Sequence, residues 1–400
     1  MRTREIDPRQ IASRFRMQGD INKAKELADQ LIDQGDLSPF DLATVALAYL
    51  ESGVNDKAFH HATELLARVK TMPENDEFAE LSATARCVLG TIHRERNELN
   101  YAFYHLNMGL FEKSPAWLES YILRNLGLTH LKDGNYKNAA ATFLDAIELA
   151  MQNPNAELDG SLPALTNYYG LSLVRHSLKN NKSPDAGLAV LRDATIQFQR
   201  TFTRLGISAL QQQTSHDWQS HLFHRGLVAC EIAESEPNLS KATSYFAEAA
   251  DLLTDALAGR IANKANQARL ADACMWLGRA YTGLGLTVLA KNCFQNALQH
   301  YQNHFQQDPN APQISEASMR LNNIKSSYPT TLKLFGVRPE KATGPRVACA
   351  LARIQNRDGV YAASHTASQF IFWARKQQRH FNLDAIKPYV PANHVNGMRK

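Results

Sequence analysis

The sequence predicts an all-α chain assembled from repeated helix–turn–helix units. Three observations carry this expectation. Helix-forming residues dominate: 53 alanines and 47 leucines stand against 29 isoleucines and valines combined, and β-branched side chains are the ones a sheet favours. Two distant segments share one grammar of small and large residues. The first runs Leu126, Gly127, His130, Gly134, Tyr136, Ala139, Phe143, Ala146, then Pro154; the second runs Leu277, Gly278, Tyr281, Gly285, Ala290, Phe294, Ala297. Finally, 44% hydrophobic and 21% charged residues suit a packed fold.

In each copy the glycine after leucine lets a partner helix approach closely. Gly134 and Gly285 stand where the first helix ends and a positive φ is useful. The alanine, aromatic, alanine series at spacings of four and three lays a small-large-small stripe along the second helix. In chain order, the first copy is Ala12, Phe15, Gly19, Ala24, Ala28, Leu31 and Pro39, and the second is Ala46, Tyr49, Gly53, Ala58, Ala62, Leu65 and Pro73. The third is Leu89, Gly90, His93, Ala102, Leu106, Gly109 and Pro115, and the fourth is the segment from Leu126. Tyr169, Gly170 and Leu173 open a fifth with a longer turn at 178–185. Ala242, Phe246 and Ala249 mark the second helix of a sixth, whose first helix falls within 216–233 and needs an insertion to align. The segment from Leu277 is the last.

This grammar resembles the tetratricopeptide repeat (TPR). The resemblance implies a TPR-like right-handed α-solenoid of about seven helix pairs with a C-terminal helical extension. The expected organisation is a repeat array over 1–309, a covering helix and linker over 310–337, and a basic helical C-terminal region over 338–400. The covering helix is expected from Pro312 to Ser326, with Ile314, Ala317, Leu321 and Ile324 on one stripe. In the tail, Val347, Ala350, Leu351 and Ile354 mark one helix and Ala363, Ala367, Phe370, Ile371 and Ala374 a second.

In the family the first helix of each pair forms the inner wall of the superhelix. Carried over by position, the resemblance implies a peptide-binding groove containing Arg94, Tyr121, Arg124, Asn125, Leu128, Lys132, Asn167, Arg175 and Arg279, with Arg9, Arg16, Leu47, Leu50, Thr91, Leu171 and Met275 on the same wall. Arginine and lysine there suit carboxylates of an extended protein or peptide ligand. Asn125 and Asn167 fall near positions used by chaperone adaptors that clamp a C-terminal carboxylate. The lysines of those adaptors are not matched, since Arg124 and Tyr168 stand in their places.

No constellation points to catalysis: neither GxSxG nor HExxH occurs, and Gly283 and Gly285 belong to a repeat turn. The best metal candidate, His216, His221 and His224 with Asp217 and Cys230, is no denser than 14 histidines in 400 residues produce by chance. His60 and His61, adjacent on a helix, are expected to point to different faces. Neither cofactor nor metal is expected, and the chain reads as a non-enzyme.

Charge is unevenly placed. Residues 338–400 hold 11 Lys/Arg against 3 Asp/Glu, a net of +8, while the remaining 337 residues net −3. Arg353, Arg357, Arg375, Lys376 and Arg379, interleaved with Tyr361, Phe370, Phe372 and Trp373, form a basic patch of the kind that suits a polyanion. A scaffold binding a protein or peptide in its groove is therefore the first functional expectation. The alternative is a TPR sensor whose basic C-terminal region contacts nucleic acid or another polyanion. Five cysteines without a CxxC pair, no apolar leader after Arg2 and Arg4, and apolar runs far below the ~20 residues of a membrane span point to a cytoplasmic protein.

Overall fold

The computed structural model of the chain describes residues 21–112, 114–152, 161–306, 308–323 and 346–356, together with 363, 366, 367, 370, 388 and 389. Among these residues no strand occurs. The helices are α1 (Ile21–Asp33), α2 (Pro39–Glu51), α3 (Asn55–Val69), α4 (Asp76–Glu95), α5 (Leu99–Phe111), α6 (Ala116–Lys132), α7 (Tyr136–Met151), α8 (Ser161–Lys179) and α9 (Asp185–Leu205). They continue with α10 (Ala209–Thr214), α11 (His216–Ser235), α12 (Leu239–Ala262), α13 (Gln267–Gly283), α14 (Thr287–His304) and α15 (Pro312–Asn323). The chain divides into two compact units, Met1–His224 and Arg225–Lys400, with the division inside α11.

In the first unit, α2 packs on α3, α4 on α5, α6 on α7 and α8 on α9, and each pair abuts the next. The first helices also touch one another in succession, α2 to α4, α4 to α6 and α6 to α8. That succession places the first helices on the inner side of the stack, as in a TPR-like solenoid. α1 supplies the second helix of the opening pair, with Ala24 and Ala28 buried on the expected stripe; Arg9, Ala12, Phe15, Arg16 and Gly19 lie outside the described residues.

One packing device recurs. A Cβ placed on Gly90 would stand 2.7 Å from Leu106, on Gly127 2.7 Å from Phe143, on Gly170 2.9 Å from Leu191, on Gly226 2.6 Å from Leu253 and on Gly278 2.6 Å from Phe294. Each first helix thus receives the large side chain of its partner where it carries no side chain of its own. Gly226 marks the first helix of the sixth pair as α11, and the insertion that hid it is α10. The turns after the first helices use Gly53, Gly134 and Gly285 at φ of 76°, 74° and 56°, as the repeat requires, but Asn97 and Asn181 take the same left-handed conformation in the third and fifth pairs. Polar caps start several helices: Ser38 and Asp41 form a capping box on α2, and Asn75 caps α4.

In the second unit α12 packs on α13, α13 on α14 and α15 on α14. Ala317 is buried, and Ile314 and Leu321 join the cluster of Phe294, Ala297 and Tyr301. The covering helix is therefore formed as expected through Asn323, and Ile324 lies outside the described residues. Residues 346–356 are helical with Val347, Ala350, Leu351 and Ile354 buried. Ala363, Ala367 and Phe370 are also buried, while Ile371 and Ala374 lie outside the described residues. No described helix is long and apolar enough to cross a membrane.

Candidate functional site

The inner wall of the first unit is built from α4, α6, α8 and the opening turns of α11. The Arg94 guanidinium, near the end of α4, donates to Asn125 Oδ1 on α6 at 2.9 Å. The Asn125 amide donates back to the Tyr121 carbonyl at 2.9 Å, and the Tyr121 hydroxyl donates to Glu51 on α2 at 2.5 Å. Arg124 lies over the Tyr121 ring at 5.8 Å and the Tyr168 ring at 5.6 Å, and its Nη2 stands 3.9 Å from Asp217 Oδ1. Both partners of that pair are buried, with side-chain exposures of 8% and 1%.

Asn167, only 2% exposed, is the hub of a second cluster. Its Oδ1 meets His221 Nδ1 at 3.0 Å, its Nδ2 meets His224 Nδ1 at 2.9 Å, and Thr195 Oγ1 meets His221 Nε2 at 2.8 Å. With the amide as placed, His221 donates from Nδ1 and accepts from Thr195, and His224 accepts from the Asn167 amide. His216 Nδ1 stands 3.6 Å from Asp217. Two of the three histidines considered as metal ligands, His221 and His224, thus spend ring nitrogens on hydrogen bonds within the wall.

Lys132, exposed at the end of α6, donates to the carbonyls of Arg94 at 2.6 Å and Glu95 at 3.4 Å. Burial of its amine, and then the charge of Arg94, draw it below the ordinary lysine value. Lys179, at the end of α8, repeats the device one pair later by donating to the Gly134 carbonyl at 3.1 Å. Arg175 and Lys179 both lie over the Tyr136 ring, at 5.8 and 5.5 Å. Leu128 is half-buried against the cluster of Phe143, Leu165 and Tyr168.

The structure therefore brings Arg94, Tyr121, Arg124, Asn125, Leu128, Lys132, Asn167 and Arg175 onto neighbouring helices of one unit. It also closes part of the wall: Arg124, Asn125 and Asn167 are buried and engaged with the protein itself, whereas Lys132 is exposed and Arg175 half-buried. Glu51 and Thr195, which complete these clusters, carried no signal in the sequence because each acts through a partner far along the chain, and Asp217, read from the sequence only beside the histidines as a metal candidate, stands against Arg124 instead. Arg279 belongs to the second unit, where it stacks on Trp276 at 3.7 Å and grips both oxygens of Glu234, one at 3.0 Å. Of the basic C-terminal residues, Arg353 is exposed on helix 346–356, whereas Arg357, Arg375, Lys376 and Arg379 lie outside the described residues.

Burial pushes the thiols of Cys87, Cys230 and Cys293 up to about 12 and that of Cys274 to about 11, so all four are protonated packing groups at neutral pH. Elsewhere, His60 and His61 do not diverge as their adjacency suggested. Their rings meet edge to face with centroids 5.1 Å apart, because stacking on the Tyr49 ring, 5.9 Å away, holds His61 in place.

No protein-family model and no curated protein sequence matches the chain. Among solved structures, BtubC (BKLC) from P. vanneervenii is similar over 63% of this chain and 90% of its own, at 16% identity and a TM-score of 0.39. The human IFIT1 dimer with m7Gppp-AAAA is similar over 98% of this chain and 91% of its own, at 14% identity and a TM-score of 0.28. At such identities and TM-scores neither likeness bears on what this chain does, and the repeat architecture rests on its own helix pairs.

Proposed function

We propose that the chain is a non-enzymatic interaction scaffold of the tetratricopeptide-repeat kind, holding an extended protein or peptide segment with acidic groups on the inner wall of its first unit. The observation that carries this reading is the succession of matched first-helix positions. Lys132 on α6 and Arg175 on α8 present cations one pair apart, with Leu128 supplying apolar surface on the same helix as Lys132. Cations at repeat spacing suit carboxylates spaced along an extended chain. The buried groups Arg124, Asn125 and Asn167 fix the wall's shape, and the exposed Lys132 and half-buried Arg175 supply contact.

The probe is an array of acidic and neutral 12-residue peptides, with affinities measured on the full chain. Lys132→Glu combined with Arg175→Glu should weaken the best acidic peptide about tenfold or more, roughly 0.7 kcal/mol or more per rim-type charge contact, with the far-UV spectrum unchanged. Unchanged affinity would remove the wall from the reading. Neutralising Arg353, Arg357, Arg375, Lys376 and Arg379 in the full chain separates the polyanion reading. Loss of peptide binding there, or tight salt-sensitive binding of a polynucleotide that depends on those residues, would replace the scaffold with a nucleic-acid contact.

A further inference from the structure

One turn of α3 gathers three metal-binding side chains outside the inner wall. The ligand atoms of His60, His61 and Glu64 all lie within 4.8 Å of one another. Glu64 follows His60 by four residues and His61 by three, so it faces both on the helix surface. The His61 ring stacks on the Tyr49 ring, with centroids 5.9 Å apart.

Two further observations point to a ligand. His61 Nδ1 is buried and makes no hydrogen bond, and a buried ring nitrogen without a partner demands a physical reason. It stands 3.8 Å from Glu64 Oε2, the carboxylate oxygen turned toward it. The other oxygen, Oε1, is held by Arg68 Nη2 at 2.6 Å, and Arg68 is itself anchored through Nη1 to the Leu37 carbonyl at 2.6 Å. An outer partner that orients a carboxylate and leaves one oxygen aimed inward is the arrangement that supports metal ligands.

We propose that His60, His61 and Glu64 form a binding site for a divalent first-row transition-metal ion of the zinc type, with water completing the shell. Two imidazoles and one carboxylate match the ligand preference of zinc and its neighbours. Three donors with two nitrogens do not suit calcium or magnesium, which take oxygen shells. Two ligands about 2.1 Å from a tetrahedral ion stand roughly 3.4 Å apart, so the gap between His61 and Glu64 closes by a few tenths of an ångström. His60 is exposed and free to swing its ring onto the ion. Bound metal would cross-link one turn of α3 and fix the His61 ring on Tyr49, clamping the α2–α3 pair.

The test uses the untagged full chain, stripped with a chelator and titrated with zinc(II) by calorimetry and with cobalt(II) by visible absorption. The expected result is one equivalent of zinc in the micromolar range, a cobalt spectrum displaced by zinc, and shifts confined to the His60 and His61 ring signals by NMR. His60→Gln and the double variant His60→Gln/Glu64→Gln change partly exposed groups. They should weaken binding about tenfold and about a hundredfold, because apparent metal affinity follows ligand count. Absence of binding by the wild-type chain would overturn the proposal. So would binding unchanged in both variants, or ring shifts at other histidines, since either places the ion elsewhere.

Discussion

Reversing the charge at Arg124 separates a structural from a ligand-binding arginine. The guanidinium faces Asp217 at 3.9 Å, with side-chain exposures of 8% and 1%. Breaking a pair buried to this degree costs about 3–5 kcal/mol, because the remaining charge stays desolvated. Loss of the contacts with Tyr121 and Tyr168 adds about 1 kcal/mol. Arg124→Glu also sets two carboxylates against each other, so a total near 5 kcal/mol is expected. With a urea dependence of about 3 kcal/mol per molar, the unfolding midpoint should fall by roughly 1.5 M. Replacing the pair together, Arg124→Met with Asp217→Leu, should recover most of that loss, since apolar residues of similar volume substitute well for a buried ion pair. A midpoint for Arg124→Glu within about 0.3 M of wild type, near the uncertainty of such fits, would refute the reasoning. It would mean that the guanidinium is solvated and available to a ligand.

Gly127→Ala should destabilise by about 1–2 kcal/mol, because its Cβ would meet the Phe143 ring at 2.7 Å and overpacking outweighs the helix propensity gained. In a double-mutant cycle by urea unfolding, Phe143→Leu should absorb that penalty, and strict additivity would show that the two residues do not meet. Acid should weaken the fold through its histidines. Burial first, then His93 and Arg86, hold His105 down to about 4, and burial lowers His61, His130 and His300 as well. The unfolded chain takes up protons at these sites first, so stability present above pH 6.5 declines as pH falls toward 4. His105→Leu should flatten the fall in urea midpoint between pH 7 and 4.5, and an identical slope would remove His105 from the account.

The repeat was legible because its determinants lie within one helix pair. Gly127 with Phe143, Gly278 with Phe294, and Gly134 and Gly285 at the turns are local relations that a fixed spacing exposes. The sixth pair was obscured because α10 displaces α11 from the frame and no leucine precedes Gly226. Within the candidate site the helices that carry each residue were legible, but the exposure of the side chains was not. Whether Arg124 meets solvent depends on Asp217, and whether Asn167 is open depends on His221 and His224, all on a helix far along the chain. His60 and His61 misled for a related reason. Helix geometry alone separates them, and a ring on α2 brings them together.

The pair between Arg124 and Asp217 alters how the first unit comes apart. In a plain repeat array each hairpin leans only on its neighbours, so the end can fray one hairpin at a time. Here α6 is tied to α11 across the intervening α8–α9 pair, and α8 is tied to α11 through Asn167. Peeling α11 away strands a guanidinium and an amide in the interior, so the stretch from α6 to the start of α11 behaves as one cooperative block. Hydrogen exchange there should switch on together, while α1 to α3 open piecemeal.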